Sequence, residues 1–190
     1  MKFAIEKSVL FKTLGHVQNI VERRNTVPVL SNVRIEANSD GISFKATDMD
    51  TEITEVVDAK ILENGAITAP AHMLYDIVRK LSDGADVELV YPDEKEQLSI
   101  VSGRSKFSLP TIGVEDFPAI STDSLPTNFT MKCEDLKDVI DRTQFAVSTE
   151  ETRYYLNGVY MHAKNNMYTS ATTQSAEHSH YIPPPKNDSR

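Results

Sequence analysis

The spacing of apolar side chains near the start of the chain predicts a strand that is followed by a helix. The run Phe3–Ile5 has the short period of a strand. From Ser8, a residue suited to an N-cap, apolar side chains recur with helical spacing and polar or basic ones occupy the opposite stripe. The apolar stripe comprises Leu10, Leu14, Val17 and Val21, and the opposite stripe comprises Lys12, His16, Asn19 and Arg23.

Strand-like alternation then returns, and the same order of elements recurs once more. Three strands follow the first helix, and a short strand then leads into a second helix that Pro70 opens. Its predicted buried face comprises Met73, Leu74, Ile77, Val78 and Leu81. Two halves, each a strand, a helix and three strands, predict an α+β fold with both helices on one side of antiparallel sheets. The predicted strands after the first helix are 33–37, 42–46, 51–57, 66–68, 87–90, 98–101 and 105–109.

An internal repeat indicates that a second unit begins near Phe129. When the sequence is shifted by 126 positions, 8 of the 35 residues from 3 to 37 are identical, where chance gives about two. The apolar positions also agree in kind, since Leu14 falls on Ile140. A third helix is therefore expected from about Glu134 to Phe145.

The match ends after Ala171–Thr172, where the second copy loses both helical and strand periodicity. Three consecutive prolines at 183–185 cannot join a sheet. We therefore expect one complete unit and less than half of another. The predicted organisation is a first domain at 1–120, a linker at 121–128, a partial second domain at 129–172 and a disordered tail at 173–190.

Composition is that of a globular protein in a reducing compartment. The chain has 190 residues, 39% of them hydrophobic, with a single cysteine and a formal charge of −8. It contains no apolar run long enough for a membrane helix and no signal-peptide core, so we expect a cytoplasmic protein. A negative chain argues against DNA binding through bulk charge, but it leaves room for a local basic face.

No catalytic motif is present, so the sequence predicts neither an enzyme nor a bound cofactor or metal. The chain has no nucleophile elbow, phosphate-binding loop, dinucleotide fingerprint or Cys-x-x-Cys pair. His178 and His180, with Glu177, are an alternative metal site, but a third ligand at a helical or hairpin spacing is missing. Cys133 lies near a helix start without an evident base, which argues against nucleophilic catalysis.

Every predicted helix carries positive groups opposite its apolar stripe. For any one helix, a solvated charged face explains this pattern. The repetition over three helices favours a shared basic surface that contacts phosphates without reading sequence. The residues concerned are Lys12, His16, Arg23 and Arg24, then His72, Arg79 and Lys80, and finally Lys132, Lys137 and Arg142.

Six short motifs together resemble one family. They are Met1–Phe3, Thr26–Asn32, Ala46–Asp48, Ser102–Leu109, Asp116–Pro118 and Arg153–Gly158. Over positions 1 to about 172, the chain resembles the bacterial DNA polymerase III β subunit, the sliding clamp. The resemblance implies three similar domains and a head-to-tail dimeric ring whose helices surround duplex DNA. It also implies a processivity factor without chemistry, whose partners are polymerase III subunits and the clamp loader and which has no membrane contact.

The resemblance also assigns individual residues. Arg24, Arg79, Arg153 and Tyr154 match DNA-contacting or DNA-adjacent positions of the family, and His72 stands where the family commonly has arginine. Phe107 and Leu109 match the edge of the first domain that meets the other protomer. Leu156 and Thr172 match the wall of the cleft that binds partner peptides.

The end of the resemblance predicts a limited function. Where the family continues Asp-Gly-His-Arg-Leu-Ala after Ala-Thr, this chain continues Thr173–Ala176. We expect a clamp truncated in its second domain, which cannot close the ring. The alternative is a non-ring binding module, or decoy, that engages the clamp loader or a full-length clamp through Phe107 and Leu109.

Overall fold

The structure is a computed structural model that divides the chain into two compact units. Unit 1 is Met1–Asp123 and unit 2 is Ser124–Arg190. The described residues are 1–22, 26–92, 97–118, 131–150, 152, 157–164 and 167–171, and beyond Met161 only the backbone is described.

Unit 1 contains nine described strands and two α-helices, and unit 2 contains one described α-helix and two strands. In unit 1 the order is β1 (Lys2–Glu6), α1 (Lys7–Val17), β2 (Asn32–Asn38), β3 (Gly41–Thr47), β4 (Glu52–Val57), β5 (Lys60–Glu63), β6 (Gly65–Pro70), α2 (Ala71–Arg79), β7 (Asp86–Val90), β8 (Gln97–Ser102) and β9 (Ser105–Pro110). In unit 2 it is α3 (Cys133–Thr143), β10 (Tyr160–Lys164) and β11 (Met167–Ala171).

The strands of unit 1 form two antiparallel sheets that exchange strands between the two halves of the unit. One sheet has the order β4-β3-β2-β6 and the other has the order β5-β1-β7-β8-β9. We call β1-α1-β2-β3-β4 and β6-α2-β7-β8-β9 the two half-units. The first strand of each half-unit pairs with the sheet of the other, with Phe3 opposite Leu89 and Ile35 opposite Ile67. The predicted α+β fold with antiparallel sheets is confirmed.

Helix α1 buries the predicted apolar stripe but begins two residues earlier than the predicted N-cap implies. Leu10, Leu14 and Val17 are fully buried. The N-cap is Glu6 and not Ser8. Because Lys7 already has helical geometry, the Ser8 hydroxyl lies outside the capping position and donates to the Glu6 carboxylate at 2.7 Å.

Helix α2 buries a narrower face than predicted. Leu74, Val78 and Leu81 are buried, but Met73 is 53% exposed, so its assignment to the core was wrong. Successive helical residues are rotated by about 100°, which carries Met73 away from the stripe that Leu74 defines.

One continuous core joins both half-units. It combines the helix stripes with the inward positions of both sheets, including Phe3, Phe44, Leu89 and Ile100. The sequence pattern missed β5, because Ile61 is the one half-buried side chain in this edge strand and its neighbours are exposed. No described helix is long and apolar enough to cross a membrane.

Candidate nucleic-acid interface

Helices α1 and α2 lie against each other and expose cations on their outer sides. The rings of Phe11 and Tyr75 stack across the contact with centroids 5.0 Å apart. Gly15 brings the α1 backbone close to the same tyrosine ring. Lys12 on α1 and Lys80 at the end of α2 are exposed. The packing therefore holds two cation-bearing helix faces on one rigid pair of helices.

On α1 and α2, two of the predicted basic side chains already have acidic partners. The His16 ring is 2.9 Å from the Glu55 carboxylate, and the Thr13 hydroxyl donates to the same side chain. The exposed Arg79 guanidinium lies 3.0 Å from Asp76, one turn before it. Within the described part of the chain, Lys12 and Lys80 have no acidic partner. These two lysines are thus the cations on this face most available to phosphate.

His72 is engaged inside unit 1. Its Nε2 lies 2.8 Å from the Val21 carbonyl oxygen, to which it donates, and its Nδ1 lies 3.2 Å from the Gln18 side-chain oxygen. Both ring nitrogens therefore link α2 to the end of α1. A histidine held in this way stabilises the helix pair, and it has no ring nitrogen left for a phosphate.

Arg24, Arg153, Tyr154, Leu156 and Thr172 lie outside the described residues. Their assignments to DNA contact and to the partner-peptide cleft therefore stay predictions.

The predicted dimer edge is β9, one of the two edge strands of the five-stranded sheet. Strand β9 pairs with β8 on one side, and no described strand pairs with its other side. Phe107 on β9 is 37% exposed, whereas Leu109 is 1% exposed and belongs to the core. The Phe107 side chain is therefore accessible for an apolar contact with another chain, whereas Leu109 packs in the core and anchors β9.

The cations of α3 are paired along their own helix. Lys137 binds Asp141, and Arg142 lies 2.9 Å from Asp138. A hydrogen bond and the charge of Asp141 raise the pKa of Lys137. The ammonium group is thus fully charged near neutrality, but an adjacent carboxylate offsets its field.

The described residues offer no cluster of three metal-ligating side chains. The alternative site at His178 and His180 lies outside those residues. Cys133 is an exposed free thiol, as expected from the single cysteine.

Comparison with known sequences decides the family. Residues 1–121 match the N-terminal domain of the DNA polymerase III beta subunit, and residues 130–179 match its central domain. The chain belongs to the DNA polymerase III beta subunit family. The resemblance noted in the sequence motifs is thereby confirmed.

Relatives and solved structures of this family agree. The chain is 53% identical over 165 residues to the beta sliding clamp of Caulobacter vibrioides strain NA1000, covering 87% of this chain and 44% of the relative. The Pseudomonas aeruginosa clamp is 37% identical over 174 residues, or 91% of this chain and 47% of the relative. The chain thus spans less than half the length of these two relatives.

Two crystal structures show the same fold as this beta-subunit chain. A Caulobacter crescentus beta sliding clamp has 49% identity and a TM-score of 0.83, covering 91% of this chain and 47% of that one. A Pseudomonas aeruginosa clamp bound to griselimycin has 33% identity and a TM-score of 0.86. The match covers 97% of this chain and 51% of that one.

The sequence alone did not reveal Glu55 as the acidic partner of the α1 face. A signal was present, because Glu55 shares its strand register with Ile53 and Val57, whose side chains are half-buried. A carboxylate on the inward register of an edge strand indicates a polar partner on the neighbouring element. The role of Gln18 in holding His72 had no comparable signal.

Proposed function

We propose that this chain supplies the DNA-facing first domain of a bacterial sliding clamp and that it acts as a processivity factor without chemistry of its own. The observation that carries this proposal is the rigid pair α1–α2 with outward lysines and arginine, in a chain of the beta-subunit family. Because the proposed partner is chromosomal duplex DNA, the proposed location is the cytoplasm.

The proposed contact is electrostatic and does not depend on base sequence. Lysine and arginine side chains that approach phosphates displace counterions, which favours binding at low salt. Phosphate contacts position a protein on the duplex without reading its bases. A chain of net charge −8 repels DNA elsewhere on its surface, so the attraction is confined to the helix faces. Weak, local attraction is compatible with movement along the duplex.

Salt-dependent binding to a short labelled duplex tests this contact. Lys12→Gln and Lys80→Gln should each weaken binding and reduce the slope of log K against log salt by about one. Arg79→Gln should have a smaller effect, because Asp76 already pairs with the Arg79 guanidinium. Lys60→Gln is the matched control, since Lys60 is an exposed lysine on β5 in the five-stranded sheet. If the Lys60 variant loses as much affinity as the helix variants, the assigned face is wrong.

Arg24, Arg153 and Tyr154 remain proposed DNA contacts on the strength of the family resemblance. His72 is proposed as a structural residue, because both its ring nitrogens bind groups of α1 and the following turn. His72→Ala should therefore lower the melting temperature while changing DNA affinity little. A large loss of affinity with unchanged melting temperature would restore His72 to the DNA contact.

We propose that Phe107, on the open edge of β9, contacts another protomer in the assembled ring. The 190-residue polypeptide spans less than half the length of the two clamps compared above. We therefore propose that it does not close a ring or confer processivity by itself. The test is retention on circular plasmid against the same plasmid linearised. Retention on the circle that is lost on linearisation would show encirclement and refute this statement.

The proposed partners of the assembled clamp are polymerase III subunits and the clamp loader, with Leu156 and Thr172 in the peptide cleft. A second candidate function rests on the open β9 edge, which could pair with a full-length clamp and act as a decoy. Co-purification with a tagged full-length clamp, abolished by Phe107→Asp, would favour the decoy.

We also propose domain bounds of 1–120 and 129–172, with a linker at 121–128 and a tail at 173–190. Limited proteolysis followed by mass spectrometry should yield a stable fragment that ends within the linker. A first cut inside unit 1 would contradict these bounds.

A further inference from the structure

The apolar stripe of α3 is half open, although its counterpart in unit 1 is closed. Leu136 and Ile140 are each 38% exposed. The internal repeat equates them with Leu10 and Leu14, which are 0% exposed. Two exposed aliphatic side chains leave this stripe open to a covering element, as the apolar face of a helix normally packs against one.

In unit 1 the second half-unit covers this face. The core that encloses Leu10 and Leu14 includes Leu74 and Val78 from α2. Strand β2 is also paired on both edges, by β3 and by β6. Its counterpart in the repeat, β10, pairs with β11 alone among the described strands. Unit 2 therefore presents the surface that one half-unit of this fold offers to another.

The strand pairing of unit 1 is the reciprocal pairing expected of two half-units related by an approximate two-fold axis. Each contributes its first strand to the other's sheet, β1 beside β7 and β6 beside β2. Alignment of the α1 and α2 stripes, with Leu10 on Leu74 and Leu14 on Val78, also places Phe11 on Tyr75. The stacked pair of these two rings thus joins equivalent positions, as expected for residues beside a two-fold axis.

We propose that two copies of this chain associate through α3 about a two-fold axis, each half-unit covering the other as the halves of unit 1 do. The interface is isologous, because the same stripe serves both copies. Leu136 and Ile140 would be buried in it as Leu10 and Leu14 are in unit 1.

Charge complementarity across α3 supports a second copy as the occupant. If two α3 helices pack as α1 packs on α2, Asp141 takes the position of Gly15, and Lys137 of the second copy takes that of Tyr75. These two side chains would then lie side by side, as Gly15 and Tyr75 do in unit 1. In the same way, Gln144 takes the position of Gln18, and Glu134 of the second copy takes that of His72, so these two side chains would also be adjacent. Each Lys137 would then lie between its own Asp141 and that of the other copy, which offsets the approach of the two lysines near the axis.

Sedimentation of the 190-residue polypeptide over a range of concentrations tests the proposal. We expect a monomer–dimer equilibrium that Ile140→Asp shifts to monomer. The matched control is Met73→Asp, which places the same charge at an exposed apolar position of α2 and should leave the dimer intact.

A charge reversal tests the geometry without touching the apolar stripe. Lys137→Asp should raise the dimer dissociation constant about tenfold, because it places carboxylates against Asp141 of the other copy. Adding Asp141→Lys should restore the affinity, since the reciprocal pair is then re-formed with its signs exchanged. This pair of variants decides the question even if Ile140→Asp prevents unit 2 from folding.

Four results would overturn the proposal. The first is a chain that stays monomeric at every concentration. The second is a dimer that Phe107→Asp dissociates and Ile140→Asp does not, because such a dimer associates through β9. Growth beyond the dimer is the third, because a two-fold interface closes at two copies. The fourth is a monomer that binds an added peptide of residues 65–79, which would identify a strand–helix segment as the occupant.

Discussion

Gly15 of α1 faces the Tyr75 ring of α2, and its replacement by alanine tests the spacing of the helix pair. A Cβ atom built at Gly15 would lie 3.7 Å from Cε2 of Tyr75, an ordinary van der Waals contact. A glycine inside a helix costs about 1 kcal/mol relative to alanine, chiefly through backbone entropy. Gly15→Ala should therefore raise the free energy of unfolding by about 1 kcal/mol, or the melting temperature by roughly 2–6 °C.

Urea unfolding followed by far-UV circular dichroism gives the global value. Amide hydrogen exchange of peptides from α1 gives the local free energy of opening of this helix. Both values are needed because a chain of two units need not unfold in one step. The midpoint should move to higher urea with an unchanged slope.

Two controls separate backbone entropy from steric fit. Gly15→Leu should destabilise by about 1–3 kcal/mol, because atoms beyond Cβ enter the space of the Tyr75 ring. Gly41→Ala should also destabilise, since Gly41 has φ +138° and a Cβ there would lie 2.9 Å from the Val57 carbonyl oxygen. A Gly15→Ala variant that is no more stable than wild type would refute the assigned helix spacing.

Three further substitutions test local contacts in unit 1. Asp83→Asn removes the carboxylate 2.5 Å from the Lys7 ammonium. That bond and charge hold the pKa of Asp83 below its usual 3.8, so its stabilisation is present above pH 3.8 and is lost as pH falls through the lowered value. The melting-temperature difference between wild type and variant should accordingly be present at neutral pH and disappear in acid. Met49→Gly should raise the free energy of unfolding in urea by up to about 1 kcal/mol, because Met49 has φ 82°. Thr68→Val should lower it by about 1–3 kcal/mol, because the buried Asn32 amide loses the hydroxyl acceptor at 2.9 Å, while Thr68→Ser should keep most of the stability.

The helices and most strands of unit 1 were predictable because burial repeats with a fixed period. Leu10, Leu14 and Val17 are all enclosed, and the spacing alone identifies such a stripe. Met73 shows the limit of the method. An apolar residue next to a stripe looks the same in sequence whether the neighbouring element covers it or not. Which side is covered depends on the position of α2 against β2 and β6, which is tertiary information.

The candidate interface was less predictable, because it depends on partners that are distant in sequence. His72 was expected on the basic face, yet its hydrogen bonds reach residues 51 and 54 positions away. Glu55 meets His16 across 39 positions. Spacing along one helix shows which side chains share a face, but it does not show which charges a neighbouring strand will neutralise.

On the α1–α2 pair, one set of residues fixes the backbones and another carries the exposed cations. Contacts in the middle of the pair, through Phe11 and Tyr75, fix the backbones. Lys12 and Lys80 project from those fixed backbones on long side chains that remain free to move. A bidentate arginine locked against one phosphate would favour a single register on the duplex. Mobile ammonium groups on a rigid support bind successive phosphates almost equally well, which suits the proposed movement along DNA better than a tight, oriented contact does.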